Sequence, residues 1–432
     1  MNVPPCGFSF CDALFGLSEI DRELPVWYIY HGENLFRTAI QVKIMALTNT
    51  ETTFLYLISC AVNGRKPDIE IIKAADRQGV YTLCRQHFVT ATGYYAMLSA
   101  WDGTLPEGEL FAKWKQDRDL VVWKMLLFDM EYERVAAYLE SSHIWHVRLK
   151  GAEIQKFYPV PEMRETSDVD ILFDESRSEI VKQFFLDSGY ILGSEIPSHY
   201  EFLKKPVYNF EMHKLLFDHL TNPTLYDYYR DIKAKLLLRD GTACTYVFTP
   251  EDHYVFCMAH EYKHYTNSGI GVRSLMDCYM MRNMPAEFDW EYAAKEMEKL
   301  GIRQFHDSMV QLAVDVFSDP DALRPEALSA EAQEMLDRLI RSGVFGNELN
   351  LVRNRMEAIA KDKDLSGTSV KIVYIFRRLF PNREFFRAYY PEMAEKKYPL
   401  PFLWVYRIFR GLRKKRSQIS AEIKTLRSSD VK

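Results

Sequence analysis

The sequence predicts an α+β protein, a small mixed β-sheet core flanked by N- and C-terminal helical domains. Three observations predict it. Apolar residues recur at helical spacing on both sides of the chain's middle. Short runs that alternate apolar and polar fall between His143 and Leu215. The 432 residues are 47% hydrophobic and 27% charged, enough for about three domains of roughly 150 residues.

Residues 1–45 combine Pro4-Pro5 with scattered aromatics and no period, so a poorly ordered N-terminal extension is expected, with Met45 as a second candidate start. Residues 46–141 read as a helical domain. Phe54-Leu55, Leu57-Ile58 and Val62 share one helix face, and Asn63-Gly64 stops it. Further helices are expected over Ile69–Gly79 and Val80–Leu98, then a turn from Gly103 to Pro106. A long helix over Lys113–Ser141 is expected to turn Trp123, Leu126, Leu127, Met130 and Val135 to the core.

Residues 142–247 form the sheet-bearing core. A strand over His143–Leu149 feeds Lys150-Gly151 and a short helical pattern with Ile154, Phe157 and Tyr158, closed by Pro159 and Pro161. A second strand ends at Phe173, a helix covers Ser178–Ser188, and strands follow at Tyr190–Ile191, Tyr200–Lys204 and Tyr208–Leu215. Helices are expected on one side of this sheet. Thr249-Pro250-Glu251-Asp252 has the chemistry of a helix start, with a hydroxyl N-cap, proline in the first turn and acids at the positive dipole end. It opens a helical domain over 248–345 that is expected to pack on the site. Residues 346–432 form a basic, aromatic-rich helical region and tail.

Net charge is −5, which argues against a general nucleic-acid binder. The balance is uneven, however. Sixteen Lys and Arg against five acids between Ser369 and Lys432 leave −16 on the remainder. That basic segment suits an anionic membrane surface, a polyanionic acceptor such as RNA, or a packed helix with a solvated face. Seven scattered cysteines without C-x-x-C suggest reduced thiols. No run of 18 apolar residues occurs and the first cation is Arg22, so the cytoplasm is the expected compartment.

The chemistry concentrates between Lys150 and Glu211. Asp168 and Asp170, at i and i+2 on a strand, point to one face, with Val169, Ile171 and Phe173 on the other. Two close carboxylates repel unless a cation lies between them. Mg²⁺ accepts such a pair and takes further ligands from phosphates. About forty residues later Val207–His213 alternates again, putting Glu211 opposite in facing to Phe210 and Met212. Three carboxylates on adjacent strands can hold two cations roughly 3.5–4 Å apart, suited to in-line phosphoryl or nucleotidyl transfer. Gly151-Ala152, where a strand ends and a helix opens, lets backbone N–H groups approach phosphate oxygens. Lys150 and Arg164 are candidate phosphate-neutralising cations, or members of ordinary ion pairs. Arg273 and Asp277, at i and i+4, read as a helix pair.

This order of motifs resembles the nucleotidyltransferase superfamily related to DNA polymerase β. LKGAEIQKFYP, then SDVDILF, NFEMHKLLF and TPEDHYVFCMAHEYKH resemble the bacterial uncharacterised nucleotidyltransferase family (NTP-transferase type 5) from about Asn49 to Lys415. The sheet-bearing core would then be a nucleotidyltransferase core. The resemblance implies transfer of an NMP from an NTP such as ATP to an acceptor hydroxyl, with release of pyrophosphate. Asp168, Asp170 and Glu211 would be catalytic and would hold two Mg²⁺ ions, or Mn²⁺. Lys150, Gly151, Ala152, Arg164, His260 and His264 would face the nucleotide. Where the superfamily carries Gly-Gly or Gly-Ser this chain has Gly151-Ala152, which removes a hydroxyl but keeps the backbone donors. The acceptor stays open between a glycan-related small molecule, a protein and RNA.

Two other readings compete. A binding scaffold could keep the nucleotide pocket and transfer nothing. His260-Glu261-Tyr262-Lys263-His264 also spells H-E-x-x-H, the zinc metalloprotease motif, though Lys263 sits beside the would-be metal and no clear third ligand follows.

Overall fold

The structure, a computed structural model, describes residues 47–363, 365–390, 392–393, 396, 398–414, 419, 422–423 and 426. The expected extension over 1–45 lies outside the described residues, as does most of the C-terminal tail.

The first helices are α1 (Asn49–Val62), α2 (Ile69–Ala74), α3 (Arg77–Gln86), α4 (Thr90–Ala100) and α5 (Glu109–Ser141). Thr48 and Glu51 make a reciprocal capping box at the start of α1. Residues from Thr53 to Val62 are all buried, so α1 is a central helix and not the one-faced element its pattern suggests. The expected helix over Val80–Leu98 is two helices. Phe88, with φ 55°, breaks it between α3 and α4. The preceding break falls where the Asp76 carboxylate accepts the Gly79 N–H at 2.9 Å and caps α3.

The long helix α5 corrects a further expectation. Trp123, Leu126 and Met130 are exposed, while Phe128, Tyr132, Val135 and Leu139 pack inward. The helix is apolar over more than one stripe, so periodicity identified the helix without selecting its buried face.

Among the described residues seven strands follow: β1 (His146–Arg148), β2 (Val169–Phe173), β3 (Ile191–Glu195), β4 (His199–Lys204), β5 (Tyr208–His213), β6 (Leu237–Leu238) and β7 (Thr245–Val247). They form one mixed sheet in the order β3-β4-β5-β2-β1-β7-β6. The β2–β5 and β1–β7 pairs are parallel, and the others antiparallel. Interleaved helices are α6 (Gly151–Gln155), α7 (Ser178–Asp187) and α8 (Pro223–Tyr229). Sequence patterning did not show β6 and β7, which have two and three residues. They are fixed by tertiary contact. Glu140 of α5 accepts from the backbone N–H groups of Ala243 and Cys244 and from the Thr245 hydroxyl at 2.9 Å.

Both sheet faces are covered, where the pattern suggested one. Val169, Ile171, Phe173, Phe202, Phe210 and Met212 pack against α5 and α7. Val147, Leu149 and Leu172, on the opposite face, join a larger core with α1, α3 and α4. That core also takes in α9 (Pro250–Thr266), α10 (Val272–Met280), α11 (Trp290–Lys299), α12 (Arg303–Phe317) and α13 (Ala330–Ser342). Helices before and after the sheet therefore share one interior. Ser59 and Asn63 of this first segment donate to the Phe317 carbonyl at 3.0 and 2.7 Å. As its sequence suggests, α9 starts after Thr249, whose hydroxyl accepts the Asp252 N–H at 3.1 Å.

The C-terminal helices are α14 (Glu348–Lys363), α15 (Gly367–Leu379), α16 (Arg383–Tyr389) and α17 (Leu400–Lys414). Among the described residues no helix is long and apolar enough to cross a membrane. Cys60, Cys84, Cys244, Cys257 and Cys278 are free thiols.

One buried acid makes stability pH-dependent. Glu165 is enclosed beside α4, its carboxylate accepting the Ala91 N–H at 3.0 Å. Burial pushes its carboxyl up to about 7, against the pull of that hydrogen bond. The folded state therefore holds a proton that the unfolded chain releases near pH 4.5. Its contribution is complete below that pH and is lost as pH rises through about 7. Glu165→Gln is expected to flatten the stability profile between pH 5 and 8 by about 2–3 kcal/mol, measured by urea unfolding. An unchanged profile would dismiss Glu165 as its source.

Candidate active site

The parallel register of β2 and β5 sets the centre of the site. Asp170 and Glu211 are direct Cα partners. The alternation that buries Val169, Ile171, Phe210 and Met212 turns both carboxylates to the other face. His213 lies two residues beyond Glu211 and so shares that face. Its Nε2 is 2.9 Å from Asp170 Oδ1 and 3.6 Å from Glu211 Oε2. One ligand atom from each of Asp170, Glu211 and His213 falls within 4.8 Å of the others. From β4, His199 places Nε2 3.9 Å from Glu211 Oε2.

Asp168 stands just before β2, its carboxylate accepting the Ser167 hydroxyl at 2.9 Å. With Asp170 it lines a narrow cleft. Gly151, Ala152 and Gln155 form one wall, and Met125, Phe128 and Asp129 of α5 the other. The sequence thus brings the glycine-started helix to the acidic strand. Gly151 is a direct neighbour of Thr166, whose methyl would lie 3.4 Å from an added Cβ.

The two aspartates are driven apart in proton affinity. Burial and the Asp170 charge push Asp168 up. Burial also pushes on Asp170, but Lys150 and the His213 hydrogen bond outweigh it and hold this carboxyl well below the usual range. Lys150 stands at the turn between β1 and α6, and Lys124 of α5 also acts on Asp168. The Lys150 Nζ lies 2.8 Å from Nε2 and 3.0 Å from Nδ1 of His260. His260 Nε2 is in turn 3.1 Å from His264 Nε2. Burial, with the Lys150 and Lys263 charges, pushes His260 well below an ordinary imidazole, and burial with His260 does the same for His264. Both rings are therefore neutral around neutral pH.

Arg164 does not reach this cluster. It is buried, and its Nε and one terminal nitrogen donate to Asp277 at 2.9 and 3.0 Å. The Tyr158 hydroxyl donates to the same carboxylate at 2.7 Å. Burial would lower the Arg164 pKa, but Asp277 reverses that, keeping the guanidinium charged. Asp277 thus pairs with Arg164 and not, as its i, i+4 spacing suggests, with Arg273. Arg273 donates to the Glu165 carbonyl at 2.8 Å. The pair ties the segment after α6 to α10.

The H-E-x-x-H stretch lies on α9, with His260 against Lys150 and His264 against His260. Among the described residues, the one group of three or more metal-ligating side chains is Asp170, Glu211 and His213.

His213 and His199 were not singled out from the sequence. A signal for His213 was present: Glu-x-His on an alternating strand repeats the same-face logic of Asp-x-Asp. His199 is found only through pairing, since β4 and β5 set it opposite His213.

A mixed sheet with such a cluster beside a glycine-started helix is compatible with a protein of the nucleotidyltransferase class. Residues 73–318, more than half of the chain, match the family described as uncharacterised nucleotidyltransferase, and the chain belongs to that family. The match is narrower at both ends than the resemblance over 49–415 and contains the whole cluster. No curated protein and no solved structure matches the chain.

Proposed function

We propose that the protein transfers a nucleoside monophosphate from an NTP such as ATP to an acceptor hydroxyl. The observation that carries this is the pairing of Asp170 with Glu211 across parallel strands, beside Asp168 and Lys150. Asp168 and Asp170 are assigned to two Mg²⁺ ions, replaceable by Mn²⁺, with Glu211 completing the acceptor-side set. The residues fit that cargo. Two neighbouring carboxylates that burial and mutual repulsion set at odds are what a divalent cation relieves. Bound there, the ions would supply charge neutralisation on the transferred phosphoryl group and its entering and leaving oxygens.

The chain's own groups do the rest. Backbone N–H groups of Gly151 and Ala152 and the Lys150 ammonium hold the triphosphate. His260 and His264, neutral, keep Lys150 aimed at the cluster and face the nucleotide. Glu211 accepts the acceptor hydroxyl's proton as its oxygen attacks the α-phosphorus. The bond to the bridging oxygen breaks and pyrophosphate leaves. Arg164 is left out of this assignment because Asp277 already uses its donors.

Thermal shift with each NTP, with and without Mg²⁺, followed by labelled-NTP transfer into cell extract, tests the reading. Nucleotide binding with no transfer to any acceptor would favour the scaffold. Lys150→Met is expected to lower kcat/KM by on the order of 10²-fold, the scale of losing one preorganised charged donor. An unchanged value would remove Lys150 from the site.

The C-terminal helices support a membrane-surface partner. Phe402, Val405, Phe409 and Leu412 of α17 are exposed, with Ile372, Ile375 and Phe376 of α15. Leu403 and Arg407 turn inward instead, and Phe380 stacks edge-on with Trp404 at 5.1 Å. We assign this face, in a segment rich in Lys and Arg, to an anionic lipid surface. Cosedimentation with phosphatidylserine-containing vesicles, but not with pure phosphatidylcholine, is expected at low salt. Equal recovery with both vesicles, or with neither, would reject it. We further assign the protein to the cytoplasm, where NTP and Mg²⁺ are supplied.

A further inference from the structure

We propose that His213 is itself a ligand of the divalent cation, giving a mixed oxygen–nitrogen site that takes Mn²⁺ in preference to Mg²⁺. This rests on the proposed nucleotidyl transfer and deepens it, because a carboxylate trio alone would suit Mg²⁺.

The geometry comes from backbone pairing. Asp170 and Glu211 face one another across β2 and β5, and His213 follows Glu211 at i+2 on the same face. Nε2 of His213, 2.9 Å from Asp170 Oδ1 and 3.6 Å from Glu211 Oε2, occupies the third corner of a triangle whose other corners are carboxylate oxygens. All three donor atoms lie within 4.8 Å of one another. The His213 side chain is 14% exposed, and those of Asp170 and Glu211 13% and 23%, so all three are mostly buried and each keeps a small contact with solvent.

The neighbouring histidines do not share this position. His199 lies one strand further out, 3.9 Å from Glu211 Oε2, with Nδ1 3.2 Å from the Ser198 hydroxyl. His260 is engaged with Lys150 and His264. Imidazole is a softer donor than carboxylate and binds first-row transition ions more readily than it binds Mg²⁺. A single nitrogen among oxygens thus tilts selectivity toward Mn²⁺ without excluding Mg²⁺. The competing account has His213 orienting Asp170 through its hydrogen bond, with no bond to the ion.

The two accounts differ in a readout that does not depend on turnover. Mn²⁺ alone is added to the full-length protein and examined by electron spin-echo spectroscopy for coupling to a directly bonded imidazole nitrogen. The coupling is expected in the wild-type protein and lost in His213→Asn, with Mn²⁺ affinity weaker by on the order of 10–100-fold. His213→Asp, which restores an all-oxygen set, is expected to keep ion binding and shift the preference toward Mg²⁺. Circular dichroism of both variants checks the fold. Mn²⁺ bound in an Asp170-dependent manner without nitrogen coupling, or with coupling unchanged in His213→Asn, would overturn the ligand assignment and leave nucleotidyl transfer standing. If Mn²⁺ binds neither alone nor with NTP, both readings fall.

Discussion

Asp170→Asn abolishes NMP transfer, with an expected loss on the order of 10³-fold or more in kcat, while the protein stays folded. The size of the effect follows from how many groups converge on this carboxylate. It faces Glu211 across the strand pair, accepts from His213, and is held ionised by Lys150. Asparagine keeps the shape but not the charge, so it weakens both the hold on the ion and the balance with Lys150. Burial opposes the charged form, but Lys150 and the His213 hydrogen bond outweigh it, so the variant is expected to lose some stability as well and transfer is counted per folded molecule. Labelled-NTP transfer beside a thermal melt checks both halves. Wild-type transfer by a variant that melts normally would sink the enzyme assignment. A variant that fails to fold would shift the question to Glu211→Gln, read in the same way.

The largest stability effect is expected at a position that contributes nothing directly to the chemistry. Asp277→Ala leaves the Arg164 guanidinium buried without its bidentate partner and the Tyr158 hydroxyl without an acceptor. Breaking such a pair from one side costs about 3–5 kcal/mol. Replacing both ends, as in Arg164→Met with Asp277→Leu, is expected to recover most of that loss, because the pair's favourable energy is largely spent on its own desolvation. Chemical denaturation of Arg164→Met, Asp277→Leu and the double completes the cycle. The same variants separate a structural Arg164 from a phosphate-binding one. Activity per folded molecule should hold near wild type in the double variant, with KM for NTP unchanged. A KM rise above tenfold would return Arg164 to the nucleotide.

What could be read from the sequence divides by range. The shared facing of Asp170 and Glu211 was legible because a period of two fixes it, whereas Asp168 lies just before β2 and outside the group of three ligand atoms. The mixed sheet with flanking helices followed from pattern and length. That Asp170 and Glu211 would be direct partners was not legible, since alternation gives the face of each strand and not the register between strands. Arg164 and Asp277 lie 113 residues apart, and nothing local to either marks the other. The Arg273–Asp277 spacing was a correct helical neighbourhood that lost to a better-placed guanidinium. Trp123, Leu126 and Met130 show the opposite failure. A helix with apolar residues on several sides does not say which side meets the sheet. The strands β6 and β7 are too short to carry a pattern, and Glu140 anchors them from a distance.

The parallel pairing of β2 with β5 has a consequence for how this scaffold can change. A parallel pair cannot be closed by a tight hairpin, so the chain must leave at one end of the sheet and come back to the other. Here the intervening residues, 174–207, carry α7 and the outer strands β3 and β4. Within that excursion β4 pairs with β5 and sets His199 beside Glu211, so β4 is tied to the centre. The turn between α7 and β3 is not, and insertions there can lengthen the excursion while the donor triangle keeps its dimensions, which makes that turn the natural place to graft new recognition onto an unchanged frame.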